Sequence, residues 1–376
     1  MPEDIKKRGR VTKQYNKNVE IQLMRIISIV LVIMTHQVCL RTNIHPHFGE
    51  YMGVALRPWV GVDIFFVISG YFMGYMVLGK SKPNMLLSEK VAFSIDFFKK
   101  RFFRLFPAAF FWITVTFVAG ILSHNRELWG DKTSLLYKYI TSIFYVRNFE
   151  NAISPSSLGW YWSLSLENQF YIVLPILFFS IGRRFFIPFV YALAVLLFFW
   201  LPGGSDWGWF RPTGFIWGLI AYHIVNTQGV GDVIRAKAPQ IPATLSFFLL
   251  CFSLVASAVI PAAFHNQLMP FAISLVSIVA CVCVVYASLK CGTLTVPKAL
   301  VFLSYWGGEI TYSFYLCHLA IWHIMQDIRQ SYNLHVSSEV FTFIGITLAV
   351  ICAIFSYFFL EIPFYKKKSD LEPVVK

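Results

Sequence analysis

An all-α, polytopic transmembrane fold of about ten spans is what this sequence predicts, and three observations carry that expectation. Hydrophobic residues make up 57% of the 376 residues and aromatics 18%, with 38 Phe and 11 Trp. No soluble core of this size needs so much apolar surface, whereas a chain of many membrane spans does. The apolar residues fall in stretches long enough to cross a hydrocarbon layer of ~30 Å. The Lys and Arg residues, which give a net charge of +13, gather in short segments between those stretches. That is the pattern of cytoplasmic loops and not of a nucleic-acid-binding surface, so no nucleic-acid partner is expected.

Residues 1–20 form a basic tail with Lys6, Lys7, Arg8, Arg10, Lys13 and Lys17. The apolar run that follows, 22–40, is long enough to span and lacks a small-residue cleavage pattern before His36, so it reads as a span and not as a cleaved signal. A second span, 60–79, leads into another basic segment with Lys80, Lys82, Lys90, Lys99, Lys100, Arg101 and Arg104, placed just ahead of a third span at 105–122. The stretch 134–150 is ambiguous, because Lys138 and Arg147 interrupt it. Further spans are predicted at 160–181, 185–201, 211–226, 242–262, 270–289, 307–326 and 339–362. With 134–150 at the outer interface, Arg183 and Arg184, Arg235 and Lys237, Lys290 and Lys298, and Lys366–Lys368 all fall inside with both termini. The transmembrane domain then covers 21–364 and a second cytoplasmic tail 365–376. No internal repeat or separate soluble domain is legible. The seven cysteines lie mostly in or beside apolar segments without a zinc-like spacing, so they read as packing residues and no metal is expected.

Ionisable groups at membrane depth are costly and point to function. Arg25 and His36 lie eleven positions apart in RIISIVLVIMTH. On a helix that is three turns plus ~20°, so both face one side, ~16 Å apart along the axis. The predicted orientation puts Arg25, Arg101 and Arg104 toward the cytoplasm. It puts His36, Asp63, Glu167 and His318 in the outer half. Such a two-sided layout suits an anionic donor entering from the cytoplasm and an acceptor reached from the far side. Arginine suits phosphate through paired donation. Imidazole suits proton removal from a hydroxyl, with a carboxylate to hold its tautomer.

Plainer readings stand beside each of these. Arg101 and Arg104 fit ordinary positive-inside anchors, Arg25 a snorkelling end residue, and His36 a packed histidine. Asp63 either orients His36 or pairs with a neighbouring helix. Glu167, flanked by Trp160 and Trp162, either binds sugar hydroxyls or bonds helix to helix. His318 and Glu309 fit structural roles, the histidine satisfied by Tyr312 or Tyr315. Arg211 contacts either acceptor or headgroup, and Ser69 lacks the elbow of a serine nucleophile.

The segment VEIQLMRIISIVLVIMTH resembles the opening of the acyltransferase-3 family of integral membrane acyltransferases, with that family's Arg, ten residues, His motif at Arg25 and His36. GVDIFFVISGYFMGYM (61–76), FFKKRFFRLFPA (97–108, with its Arg-x-x-Arg pair), WSLSLENQFYIVLP (162–175), RPTGFIWG (211–218), GEITYSFYLCH (308–318) and SYFFLEIPF (356–364) resemble further family motifs in order. The resemblance implies transfer of an acyl group, usually acetyl from acetyl-CoA, to hydroxyls of envelope or exported carbohydrates. It implies His36 as catalytic and Arg101 and Arg104 as donor-binding. With it, the candidate sites are His36, Asp63 and Glu167 for catalysis, Arg25, Arg101 and Arg104 for acetyl-CoA, and Trp160, Trp162, Arg211 and His318 on the acceptor side. No permanently bound cofactor is expected. The expected partners are acetyl-CoA, an envelope glycan or glycolipid and membrane lipids, in a bacterial inner membrane. Many relatives carry a second Glu where this chain has Asn168, and some append a soluble domain. His36 acts either as general base or as a transient acyl carrier. An acyltransferase for lipid or small molecules would share these motifs, and a transporter or flippase is the non-enzymatic alternative.

Overall fold

The computed structural model describes residues 18–36, 56–149, 158–200, 210–237, 240–264, 269–289 and 296–364, and among them every regular element is helical. The α-helices of eight residues or more are, in chain order, α1 (Val19–His36), α2 (Gly61–Gly74, prolonged by a π-helical turn Tyr75–Gly79), α3 (Leu87–Leu122), α4 (Lys132–Ile143), α5 (Trp162–Ile181) and α6 (Arg183–Phe199). There follow α7 (Thr213–Asn226), α8 (Val230–Lys237), α9 (Ala243–Ala256), α10 (Met269–Leu289), α11 (Lys298–Ser331) and α12 (Ser338–Ser356, closed by a π-helical turn Tyr357–Glu361). Both predicted tails lie almost wholly outside the described residues, as do Cys39, Cys291 and Lys290.

Among the described residues, seven helical stretches are long and apolar enough to cross a membrane, those built on α1, α2, α3, α5, α9, α10 and α12. The other three predicted spans are helical as well, but α6 has 17 residues and α7 has 14, and α11 extends through the polar IMQDIRQS. The boundary expected for the third span moves furthest. At 36 residues, α3 is about 54 Å long. Its apolar part, 105–122, fits the hydrocarbon layer, and the charged segment read as a loop is the helix's own first half. Arg101 and Arg104 therefore sit on a rigid helix and not in a solvated loop. The ambiguous stretch 134–150 forms α4 and a 3-10 turn at Arg147–Phe149, with Lys138 and Arg147 both buried.

Two helix pairs set the frame. Along α2 and α7, Gly214 meets Phe66 and Asp63, Gly218 meets Val67 and Gly70, and Tyr222 meets Gly74. The contacts advance in the same direction, so the pair is parallel. Gly214 and Gly218 are spaced as in the small-residue seams that let membrane helices approach closely. That is why RPTGFIWG carries glycines at both positions: a Cβ on Gly218 would stand 2.3 Å from the Val67 carbonyl oxygen, and one on Gly70 2.3 Å from that of Phe215. The second pair is α1 with α11. Gln22 meets Gly308 and Glu309, and His36 meets His318. This pair too is parallel.

At Gly218 a methyl meets backbone, which no rotamer change can relieve. Gly218→Ala is expected to destabilise by about 1–3 kcal/mol, the usual cost of overpacking. Gly159→Ala, where a Cβ meets nothing within 4 Å, serves as the control. Thermal unfolding in detergent reads the difference, and equal stability of the two variants would show that the seam is looser than described.

Candidate active site

Helices α1, α2, α3, α5 and α11 enclose a cavity of about 360 Å³. Arg25 enters it from α1. Arg101 and Arg104, three residues apart and hence on one face of α3, enter from another side. Glu167 and Tyr171 come from α5, Ser69 from α2, and Tyr312 and Tyr315 from α11. The three predicted donor-site arginines thus share one space.

These cations are held by protein partners, some on their own helix and some on others, as a low-dielectric interior demands. Arg25 donates to Gln22 Oε1 at 3.3 Å, and Gln22 Nε2 donates to Glu309 Oε1 at 2.5 Å. Glu309 also accepts from the Tyr357 hydroxyl at 3.1 Å. Arg104, Glu309, Glu361 and Glu167 all act electrostatically on Arg25. Glu361 is buried and accepts from Ser313. The Arg101 guanidinium lies over the Tyr171 ring, 5.5 Å from its centroid, with Nη2 2.9 Å from Met76 Sδ.

Glu167 lines this arginine-rich cavity, although its depth in the sequence had grouped it with His36. It accepts from Ser69 Oγ at 2.7 Å and from the Tyr171 hydroxyl at 2.6 Å. Ser69 is therefore a donor to a carboxylate. Asn168, next to Glu167, turns back to donate to the Leu164 carbonyl of its own helix at 2.9 Å.

His36 does not line the cavity; Tyr315 and Ser163 stand at that end of it. The Tyr315 hydroxyl donates to the Trp160 carbonyl at 2.6 Å and lies 2.5 Å from Ser163 Oγ. Behind Tyr315 is a pair of histidines, His318 Nε2 being 3.3 Å from His36 Nδ1. His318 Nδ1 lies 3.0 and 2.9 Å from the carbonyl oxygens of Phe314 and Tyr315. The expected acceptor-side residue His318 is thus His36's neighbour, satisfied by backbone and not by a tyrosine hydroxyl.

Asp63 is not placed on His36. It is fully buried and forms an ion pair with Arg211, Oδ1 to Nε at 3.5 Å. The Arg211 guanidinium lies over Trp59 and Trp162, 4.5 and 5.0 Å from the ring centroids. Trp162 and Arg211 are therefore brought together, while Trp160 packs on His323 at 4.9 Å between ring centroids. Sequence reasoning missed Gln22, Tyr171 and His323, and passed over Tyr315 and Glu361. Gln22 and Tyr171 sit three and four residues from Arg25 and Glu167, a spacing that could have flagged them. Among the described residues, no group of three or more His, Cys, Asp or Glu is placed to hold a metal ion, and Cys251, Cys281, Cys283, Cys317 and Cys352 are free thiols.

Comparison with known proteins bears on what this arrangement serves. Residues 18–358 match the acyltransferase-3 family model, described as an acyltransferase domain. The chain is 27% identical over 342 residues to the "Putative peptidoglycan O-acetyltransferase YrhL" of Bacillus subtilis, covering 81% of this chain and 50% of that protein. It is 35% identical over 130 residues to the "Peptidoglycan O-acetyltransferase OatA" of Listeria monocytogenes, covering 31% and 19% respectively. A "Putative O-acetyltransferase" of Staphylococcus aureus is 25% identical over 338 residues, covering 82% of this chain and 53% of the relative. The chain spans about half the length, or less, of these relatives. No solved structure matches.

The Asp63–Arg211 pair generates a prediction that separates pairing from ring orientation. Asp63→Ala leaves a buried guanidinium without its counter-charge and is expected to destabilise by about 3–5 kcal/mol, whereas replacing both partners with apolar residues recovers most of that loss. Denaturation of Asp63→Ala and of Asp63→Leu combined with Arg211→Met checks it. A double variant as unstable as the single one would show that the two residues do not act as a pair.

Proposed function

The chain belongs to the acyltransferase-3 family, and from that premise we propose that it is a membrane O-acetyltransferase that moves acetyl from cytoplasmic acetyl-CoA to a hydroxyl of a cell-envelope carbohydrate. The observation that carries the proposal is the convergence of Arg25, Arg101 and Arg104 in one cavity. Three guanidiniums drawn from two helices suit the phosphates of a coenzyme A donor, because each planar fork stays charged and donates in pairs. The relatives named as peptidoglycan O-acetyltransferases favour an envelope glycan as acceptor.

In this reading the donor's phosphate end rests on the arginines, and its thioester arm extends toward Tyr315 and the histidines. His36 takes the proton from the acceptor hydroxyl as the oxygen attacks the thioester carbonyl. The carbon–sulfur bond breaks, and the thiolate leaves with that proton as the free thiol. Glu167, held by Ser69 and Tyr171, faces the arginines and balances part of their charge before the donor arrives. Ten crossings in a bacterial inner membrane, with both termini and residues 80–104 cytoplasmic, complete the proposal. The parallel run of α2 and α7 supports this, since α3 and α5 alone between them would leave the two antiparallel, whereas a crossing by α6 as well makes them parallel.

Loss of acetyl mass from envelope glycans in cells lacking the chain, read by mass spectrometry, tests the function. Unchanged glycans with loss of acetylated lipid would move the acceptor to the lipid class. In a purified assay, Arg25→Ala, Arg101→Ala and Arg104→Ala are each expected to raise KM for acetyl-CoA by roughly 10- to 100-fold, the worth of a charge-assisted hydrogen bond. Lys at these positions should restore only part. His36→Ala should leave donor binding in place and lower kcat on the order of 10²- to 10⁴-fold. Inserting one residue between Arg25 and His36 turns one of them by about 100° and should disable the enzyme. Full activity in a well-expressed insertion variant would sink the shared-face mechanism.

A further inference from the structure

We infer that His318 is a positioning residue that fixes the tautomer of His36, so that His36 meets the acceptor hydroxyl with Nε2 as the basic atom. The inference rests on the reading of His36 as general base, and it stands on the hydrogen-bond partners of the two rings. Carbonyl oxygens only accept. The two that face His318 Nδ1, at 3.0 and 2.9 Å, therefore place a proton on that nitrogen. A neutral imidazole with its proton on Nδ1 presents a lone pair at Nε2. The group opposite that lone pair, at 3.3 Å, is His36 Nδ1. His36 must then donate from Nδ1, which leaves its own Nε2 unprotonated.

The two histidines are not interchangeable in this arrangement. His318 is 0% exposed, and both of its nitrogens are engaged, one by the backbone of its own helix and one by His36. His36 is the last residue of α1 and partly exposed, and besides His318 its ring meets the Val32 carbonyl of its own helix, one turn back, which like the carbonyls on His318 can only accept. Only His36 can take a proton from a substrate. When it does, it becomes imidazolium, and its Nδ1–H remains directed at the lone pair of His318. That is the service a carboxylate gives in a catalytic triad, performed by a neutral group. In a membrane interior the difference is material, because a buried carboxylate needs a counter-charge of its own. Asp63, the nearby candidate for the task, is instead paired with Arg211.

Tyr315 ties this pair to the donor cavity. Its side chain lines the cavity, while its carbonyl is one of the two that set the tautomer of His318. The ring that sets the base is thereby anchored on the same residue that forms the cavity wall, which is how a rigid element keeps a catalytic group in register with bound donor.

The test uses the full chain in lipid with ¹⁵N-labelled histidine, the His36 signals being assigned by their absence in His36→Ala. The expected result is His36 protonated on Nδ1 and bare on Nε2. In His318→Phe, which keeps ring shape but offers no acceptor, that preference should be lost, and kcat should fall by about 10- to 100-fold, the usual loss on removing a group that orients a functional ligand. KM for acetyl-CoA should stay within about twofold of wild type, since phosphate contacts are untouched. His318→Gln, whose amide oxygen can accept, should recover part of kcat. A His36 ring carrying its proton on Nε2 in the wild-type protein would overturn the inference without any variant having to fold. So would an unimpaired kcat in His318→Phe when His36→Ala is inactive. Activity surviving in His36→Ala would remove the general-base reading itself.

Discussion

The contact on which the rest depends is the parallel packing of α1 on α11. Near one end Gln22 reaches Glu309 and steadies Arg25; toward the other, His36 meets His318. One helix pair therefore holds a cation and an imidazole at two depths of the membrane domain. Close approach is possible because Gly308 offers no side chain: a Cβ there would stand 2.4 Å from Gln22 Oε1. Everything else in the site is hung on this pair. The cavity opens between it and α3, and α5 closes the space with Glu167 and with Ser163, which binds Tyr315.

Membrane burial explains why the polar groups come as linked sets. The guanidiniums are partly or fully removed from solvent, and Arg25, Arg101 and Arg211 are matched by acceptors or rings of the protein. Arg25 has Gln22 and the nearby carboxylates, Arg101 has Met76 and the Tyr171 face, and Arg211 has Asp63 between two tryptophans. Such pairings are specific because a mismatched helix would leave a charge unsatisfied, at a cost exceeding that of most apolar misfits. The electrostatic partners thus act as registry marks for the bundle, while the glycine seam between α2 and α7 brings the backbones close enough for those marks to meet.

The all-helical, multi-span character was legible in composition and periodicity, and every predicted span is helical. Residues that share a helix face were legible as well. Arg25 with His36 and Arg101 with Arg104 follow from spacing alone. What the sequence could not show is which helix each face meets. Asp63 and His36 have compatible depths, yet Asp63 points to α7's leading edge and His36 to α11, because partner choice is a property of the bundle and not of either segment. Glu167 was misgrouped for the same reason: depth along α5 does not reveal that its face turns toward Ser69 and the arginines. Nor could hydropathy separate the charged first half of α3 from a loop, since a helix that emerges from the membrane reads as polar as any loop does.

That last difference changes the chemistry available at Arg101 and Arg104. On a loop, two cations would adapt to whatever anion approached and would lose side-chain and backbone freedom on binding it. On α3 the spacing of the pair is set before any ligand arrives, and aromatic packing fixes it further, with Phe102 stacked on Phe106 at 4.4 Å and the Tyr312 hydroxyl bound to the Leu105 carbonyl one residue on. A helix that carries both guanidiniums at its emergence from the apolar layer presents them at a fixed depth, opposite Arg25. For the proposed donor, selectivity would then follow from geometry more than from net charge, because a diffuse positive-inside loop would attract any anion, whereas three fixed forks favour one whose oxygens match their spacing.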